Sequence, residues 1–206
     1  MNHTQPKLLV LDGQGVVFDA PFQRFLRSFA RDNDVDDGAV IGRWEAGLRL
    51  EAWTGSIDDA ALWNALAGKR VSLSRTMASL SATYRPGPVA TYLSTWSELV
   101  PIWLLSNHRS NWLLPRLDEM NLARRFQRLL ISDKTGVVKP DPNAFQQPIA
   151  EAPADQVLFV DDQAHNTAVA EKLGLSAIHA SPARDWVTEV DRRLRCAMPL
   201  EGVSGG

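Results

Sequence analysis

Leu8-Leu9-Val10-Leu11-Asp12-Gly13-Gln14-Gly15 is the stretch whose reading decides the fold. Four consecutive apolar residues are too few for a buried helix and suit a strand covered on both faces; the Asp-Gly pair that follows reads as a tight turn at its carboxyl end. Three further motifs come later in the chain, each after or close to a short apolar run: Leu104-Leu105-Ser106-Asn107, Gly136-Val137-Val138-Lys139-Pro140-Asp141-Pro142 and Leu158-Phe159-Val160-Asp161-Asp162. Polar residues at strand ends lie where open α/β sheets bind their ligands.

The regions between these motifs alternate. Strands are predicted over 102–105, 129–132, 157–160 and 176–179, and helices over 89–99, 111–120, 142–150, 166–173 and 182–195. That order implies a doubly wound parallel sheet with helices on both faces. Residues 19–85 differ, because their apolar residues recur only at helical spacing, as in Phe22, Phe25, Leu26 and Phe29 or Val40, Trp44 and Leu48. This segment reads as an all-helical insertion between two parts of an α/β core, 1–18 and 86–206. Ser56-Ile57-Asp58-Asp59 has the pattern of a capping box opening a helix over 60–66, and Ser72 or Ser74 opens the next one. Arg85-Pro86-Gly87-Pro88 ends the insertion. Trp44, Trp53 and Trp63 are expected to pack the inserted helices together. The tail 201–206 reads as disordered.

Composition narrows the function. The 206 residues are 45% hydrophobic and 22% charged with a net charge of −2, an ordinary globular balance that can bury one sizeable core. There is no polybasic block, so nucleic acid and anionic membrane are not expected partners. The apolar run near the amino terminus is too short for a signal peptide or a span, which points to the cytoplasm. Cys196 is the lone cysteine and cannot form an internal disulfide, in keeping with a reducing compartment; it reads as a helix residue near the carboxyl end.

Each strand-end residue has a chemical capacity. The Asp12 carboxylate can attack phosphorus or carbon and form a covalent intermediate. Ser106 and Asn107 offer a hydroxyl and an amide to phosphate oxygens, and equally to a helix amino terminus. Lys139, held by a rigid Pro-rich turn, can neutralise a nucleophile and a transferring group. Asp161 and Asp162 are adjacent carboxylates that repel unless a cation or donors compensate them, and hard oxygens of this kind suit Mg²⁺. His108 and Arg109, at a helix start, are expected to be solvated, as are Arg43 and Arg49. Asp19 is expected to be carried away from the site by the hinge into the insertion.

The four motifs in this order are far more specific than any one of them. The chain resembles the haloacid dehalogenase-like hydrolase superfamily, in the branch with a helical cap after the first strand. It is similar to sugar-phosphatase-like members and to the amino-terminal phosphatase domains of epoxide hydrolases. The resemblance covers nearly the whole chain and implies a Rossmann-like hydrolase core. It also implies that Asp12 is the nucleophile, that Ser106 and Asn107 bind the phosphoryl group, and that Lys139 is a charge clamp. Asp162 would then be a direct ligand of Mg²⁺, with Asp161 helping to hold it and the backbone carbonyl of Gln14 as a further ligand. The implied activity is Mg²⁺-dependent hydrolysis of small phosphorylated metabolites through an aspartyl-phosphate.

Gln14 departs from the pattern. Most phosphatases of this superfamily carry an aspartate two residues after the nucleophile, which protonates the leaving oxygen and later activates water; an amide has no usable proton equilibrium near neutral pH. Two alternatives follow: a catalytically impaired relative that binds a phosphorylated ligand or partner protein, and a haloacid dehalogenase. Dehalogenases need no metal and generally lack the acidic pair, so Asp161 and Asp162 favour phosphate chemistry.

Overall fold

A computed structural model describes residues 5–19 and 22–195. Cys196 and the tail 201–206 lie outside these residues. Five parallel strands form the sheet: β1 (Leu8–Leu11), β4 (Ile102–Ser106), β5 (Arg128–Ile131), β6 (Val157–Asp161) and β7 (Ser176–His179), in the order β5-β4-β1-β6-β7. Strand β1 is central, and the chain first builds outward on one side of it and then crosses to the other. The reversal opens a crevice beyond the carboxyl ends of β4, β1 and β6. Asp12, Ser106 and Asp161 stand at these three ends.

Alternate residues of each central strand feed opposite faces of the sheet. Leu9 and Leu11 of β1, Ile102 and Leu104 of β4, and Leu158 and Val160 of β6 join the larger apolar cluster. Leu8, Val10, Trp103, Leu105, Val157 and Phe159 join the smaller one. Helices α6 (Leu93–Leu99), α7 (Ser110–Glu119) and α11 (Trp186–Arg195) contribute to the first cluster. Helix α10 (Ala164–Lys172) contributes Ala170 to the second, with Ile149 of α9 (Gln146–Glu151) packed against it. A strand buried from both sides has no solvent face to mark with polar residues, which is why β1, β4 and β6 read as unbroken apolar runs.

The helical segment leaves and rejoins the sheet through a two-stranded antiparallel ribbon in which β2 (Phe18–Asp19) pairs with β3 (Arg85–Pro86), Asp19 opposite Arg85. Between them lie α1 (Phe22–Asp32), α2 (Asp37–Arg43), a wide π-helical turn at Trp44–Leu48, α3 (Arg49–Thr54), α4 (Asp59–Ala67) and α5 (Leu73–Ser81). Their aromatic side chains do pack together: Trp63 lies 5.2 Å from Phe29 and Trp53 5.2 Å from Trp44. This packing continues into the larger sheet cluster through Trp112 of α7, whose ring stacks on Trp63 at 5.2 Å.

Local differences from the sequence reading have local causes. Helix α4 is capped by Asp58, whose side chain accepts from the Ala61 amide at 2.8 Å, and not by Ser56. Ser56 Oγ bonds back to the Glu51 carbonyl instead, within the end of α3. Helix α5 is capped by Ser72, as expected. The helix expected over 89–99 starts only at Leu93, because the Gly87 and Val89 amides donate to the carbonyls of Val17 and Val16 and prolong the ribbon. Residues 142–145 form a 3₁₀ turn before α9, and α11 begins at Trp186, where Asp185 accepts from the Thr188 amide.

Candidate active site

Lys139 organises the crevice. Its ammonium donates to Asp12 Oδ1 at 2.8 Å and to Asp161 Oδ2 at 2.6 Å, and it lies 5.4 Å above the Phe159 ring. The Lys139 side chain is 1% exposed, so both ion pairs are dry. Asn107 holds the Lys139 backbone from both sides: its Oδ1 accepts from the Lys139 amide at 2.8 Å and its Nδ2 donates to the Lys139 carbonyl at 2.7 Å. Most of the Asn107 amide is thereby committed, leaving one N–H for anything else.

Asp161 is fully buried and saturated with donors. Beyond Lys139 it accepts from the Gln163 amide at 2.8 Å and from Asn166 Nδ2, which lies 3.0 Å from both of its oxygens. Asp162 projects past it and packs over Gly15: a Cβ on Gly15 would lie 2.5 Å from Asp162 Oδ2, and the positive φ of 80° there also favours glycine. Gly13 is crowded in the same way, since its Cβ would lie 2.5 Å from Ser106 Oγ. The Ser106 hydroxyl therefore abuts the Asp12-Gly13 turn. Gln14 is half-buried beside these glycines.

Charge is unbalanced here. One carboxylate oxygen each from Asp12, Asp161 and Asp162 lies within 4.8 Å of the others. Burial pushes the Asp12 carboxyl up to about 7, with the charges of Asp161 and Asp162 adding to the rise and Lys139 opposing it. Burial likewise raises Asp162. Burial works against the Lys139 charge too, but Asp12 and Asp161 together outweigh it and hold the ammonium above its ordinary range. Three carboxylates against one ammonium leave an excess that a divalent cation matches, and the donors are the hard oxygens that Mg²⁺ takes.

Known structures share this architecture. A HAD family enzyme from Bacteroides thetaiotaomicron superposes with a TM-score of 0.76 at 20% identity, over 91% of this chain and 99% of that one; the same enzyme was also solved in complex with magnesium and inorganic phosphate. L-2-haloacid dehalogenase from Xanthobacter autotrophicus superposes at 0.61 with 21% identity, over 89% and 83% of the two chains. At these identities the likeness is one of fold. No family model matches the chain. In sequence, phosphoglycolate phosphatase of Pseudomonas syringae pv. syringae (strain B728a) is 29% identical over 196 residues, covering 85% of this chain and 70% of that protein. In fold the chain is similar to haloacid dehalogenase-like hydrolases, and in sequence to phosphoglycolate phosphatases.

Asp12, Ser106, Asn107, Lys139, Asp161 and Asp162 gather at one crevice, while Asp19 is exposed on the ribbon. No helix among the described residues is long and apolar enough to cross a membrane. Arg43 and Arg49 are exposed, as expected; Arg43 donates to the Leu66 carbonyl and Arg49 pairs with Glu45 at the surface. Asn166 received no role from sequence, although an amide five residues after Asp161, in the first turn of the next helix, can reach back to a strand-end carboxylate.

His108 and Arg109 are not solvated; both are buried. The Arg109 amide donates to His108 Nδ1 at 2.8 Å, the Arg109 carbonyl lies 3.1 Å from the same nitrogen, and His108 Nε2 is hydrogen-bonded with Tyr84 Oη at 2.9 Å. The signal for this lay in the aromatic residue at the hinge, which no local pattern connects with position 108. Burial lowers the imidazole from 6.5 to about 4. The unfolded chain therefore takes up this proton first as pH falls. Stability from the neutral imidazole is complete above pH about 6.5 and is lost down to about 4, roughly 3 kcal/mol in all. His108→Gln should remove the rise in the denaturation midpoint that this proton contributes between pH about 4 and 6.5, leaving the opposite trend set by the raised Asp12 carboxyl; a slope equal to wild type would overturn this assignment.

Proposed function

We propose that the chain is a Mg²⁺-dependent phosphatase of small phosphorylated metabolites, acting through an aspartyl-phosphate on Asp12. The observation that carries this reading is the buried Asp12–Lys139–Asp161 bridge with Asp162 beside it at the sheet's reversal point. Lys139 engages Asp12 Oδ1, so Oδ2 is the attacking oxygen. In the first step Oδ2 bonds to phosphorus as the ester oxygen departs; in the second, water attacks the same phosphorus, releasing phosphate and restoring the carboxylate. Ser106 Oγ and the remaining N–H of Asn107 donate to the phosphoryl oxygens, and Lys139 offsets charge on nucleophile and phosphoryl group together.

Asp12, Asp162 and the Gln14 carbonyl would hold Mg²⁺, with Asp161 supporting them through the network it shares with Lys139 and Asn166. The ion would supply neutralisation of phosphoryl charge. The helical segment 19–85 acts as a cap that excludes bulk water. Two assays test the reading. Phosphate release should be seen across a panel of sugar phosphates, nucleotides, acyl phosphates and 2-phosphoglycolate with saturating Mg²⁺, and should stop with a chelator; 2-phosphoglycolate is included because the sequence relatives carry its name. Mg²⁺ should also raise the melting temperature, by an amount equivalent to about 2.7 kcal/mol at a hundredfold excess over its Kd. Asp162→Asn should abolish that shift and Asp161→Asn reduce it less. Calorimetry showing no Mg²⁺ binding, with or without a phosphate analogue, would sink the metal assignment. A protein that binds phosphorylated ligands without turnover would support the impaired-relative reading that Gln14 invites.

A further inference from the structure

The helical segment grips the turn after β4 through one carboxylate. Asp59, the first residue of α4, receives Trp112 Nε1 at 3.0 Å on Oδ1 and Asn111 Nδ2 at 2.6 Å on Oδ2. Arg109 Nε lies 2.9 Å from Oδ1 as an ion pair, out of line for a hydrogen bond, while Arg109 Nη1 donates to the Ile57 carbonyl at 2.7 Å. The Arg109 and Asp59 side chains are 9% and 13% exposed, so neither charge has much water to fall back on.

The same turn is held from below. Asp133 Oδ2 accepts from the Ser110 amide at 2.9 Å and its hydroxyl at 2.8 Å. Gly55 of the helical segment is pressed against Asp133, whose carbonyl would lie 2.8 Å from a Cβ there. Only two peptide units separate Arg109 from Asn107, whose amide clamps Lys139. Movement of the helical segment at Asp59 is thus transmitted to the crevice through a very short piece of backbone.

We propose that Asp59 is a positioning residue: it latches the helical segment onto the turn after β4 and so keeps Ser106 and Asn107 aligned with Asp12. This rests on the phosphatase reading above. The alternative is an ion pair that contributes stability and nothing else, and the two differ in what happens when stability is restored. Asp59→Ala leaves the Arg109 charge buried and unpaired, whereas Asp59→Ala with Arg109→Met removes both charges and should recover most of the lost melting temperature.

With p-nitrophenyl phosphate and Mg²⁺, kcat should fall roughly 10- to 100-fold in Asp59→Ala, the scale set by small misplacements of reacting groups, with KM little changed. It should stay low in the stable double variant, while hydrogen exchange of amides 57–66 and 107–112 quickens in both. If Asp59→Ala does not fold, the double variant carries the test. A kcat that returns with the melting temperature would make the pair merely structural and overturn the latch, as would unchanged turnover in a variant whose exchange has quickened. A wild type with no turnover on any phosphate ester overturns the phosphatase reading and the positioning role with it; an active wild type with unaffected variants overturns the latch alone.

Discussion

Asp12→Asn is expected to yield a folded protein whose phosphatase turnover is reduced on the order of 10³-fold or more. An amide oxygen cannot attack phosphorus and regenerate, so the covalent step is lost and not merely slowed. The fold should survive, because the substitution keeps the side chain's shape and removes a buried charge that its surroundings disfavour. Lys139 keeps its bond to Asp161 at 2.6 Å and stays compensated. The melting temperature should therefore equal or exceed that of wild type, and beryllofluoride should bind wild type as a mimic of the phosphorylated aspartate and fail to bind the variant. An Asn variant that hydrolyses aryl phosphates as fast as wild type would refute the covalent mechanism.

Gln14→Asp is expected to accelerate hydrolysis of poor leaving groups by about 10²- to 10⁴-fold, the contribution of a positioned acid or base, and of good ones much less. An alkoxide must be protonated as it departs, and Gln14 has no proton to give. Wild type should thus prefer acyl and activated aryl phosphates, and should turn over simple alkyl phosphates such as 2-phosphoglycolate slowly. Comparing the two proteins across leaving groups of graded basicity isolates this effect. It also sets aside the uniform loss that a further negative charge beside Asp12 and Asp162 would bring. Rapid alkyl phosphate hydrolysis by wild type, with no gain in Gln14→Asp, would mean that another residue supplies the proton.

The sheet and its crevice were legible because three of the four motifs combine two local signals, an apolar run and a polar residue at its end; Lys139 departs from that pattern, lying in a turn beyond the short helix Ser132–Thr135 that follows β5. Neither signal depends on a distant partner. Asp12, Ser106 and Asp161 converge by topology alone once the parallel order is inferred. What escaped were interactions between residues far apart in sequence whose own neighbourhoods look ordinary. Nothing beside Asn107 marks it as the clamp on the Lys139 backbone, 32 residues on. His108 and Arg109 have the composition of a solvated helix start and are buried where Trp53, Tyr84 and Asp59, all distant in sequence, pack against them. The displaced cap of α4 has a different origin: Ser56 and Asp58 both fit the role, and the choice turned on where α3 ended.

The Phe18–Asp19 and Arg85–Pro86 ribbon brings both ends of the helical excursion to one spot at the rim of the sheet. In terms of connectivity the excursion is a module, leaving and rejoining the core through one pair of adjacent strands. In terms of surface it is not, because its removal would uncover Trp112 and leave the Arg109 charge unmatched. Any replacement must present an aromatic plate and an acid in the places of Trp63 and Asp59. Divergence in this part of the molecule is thus constrained less at the splice than at the distant footprint where the module lands.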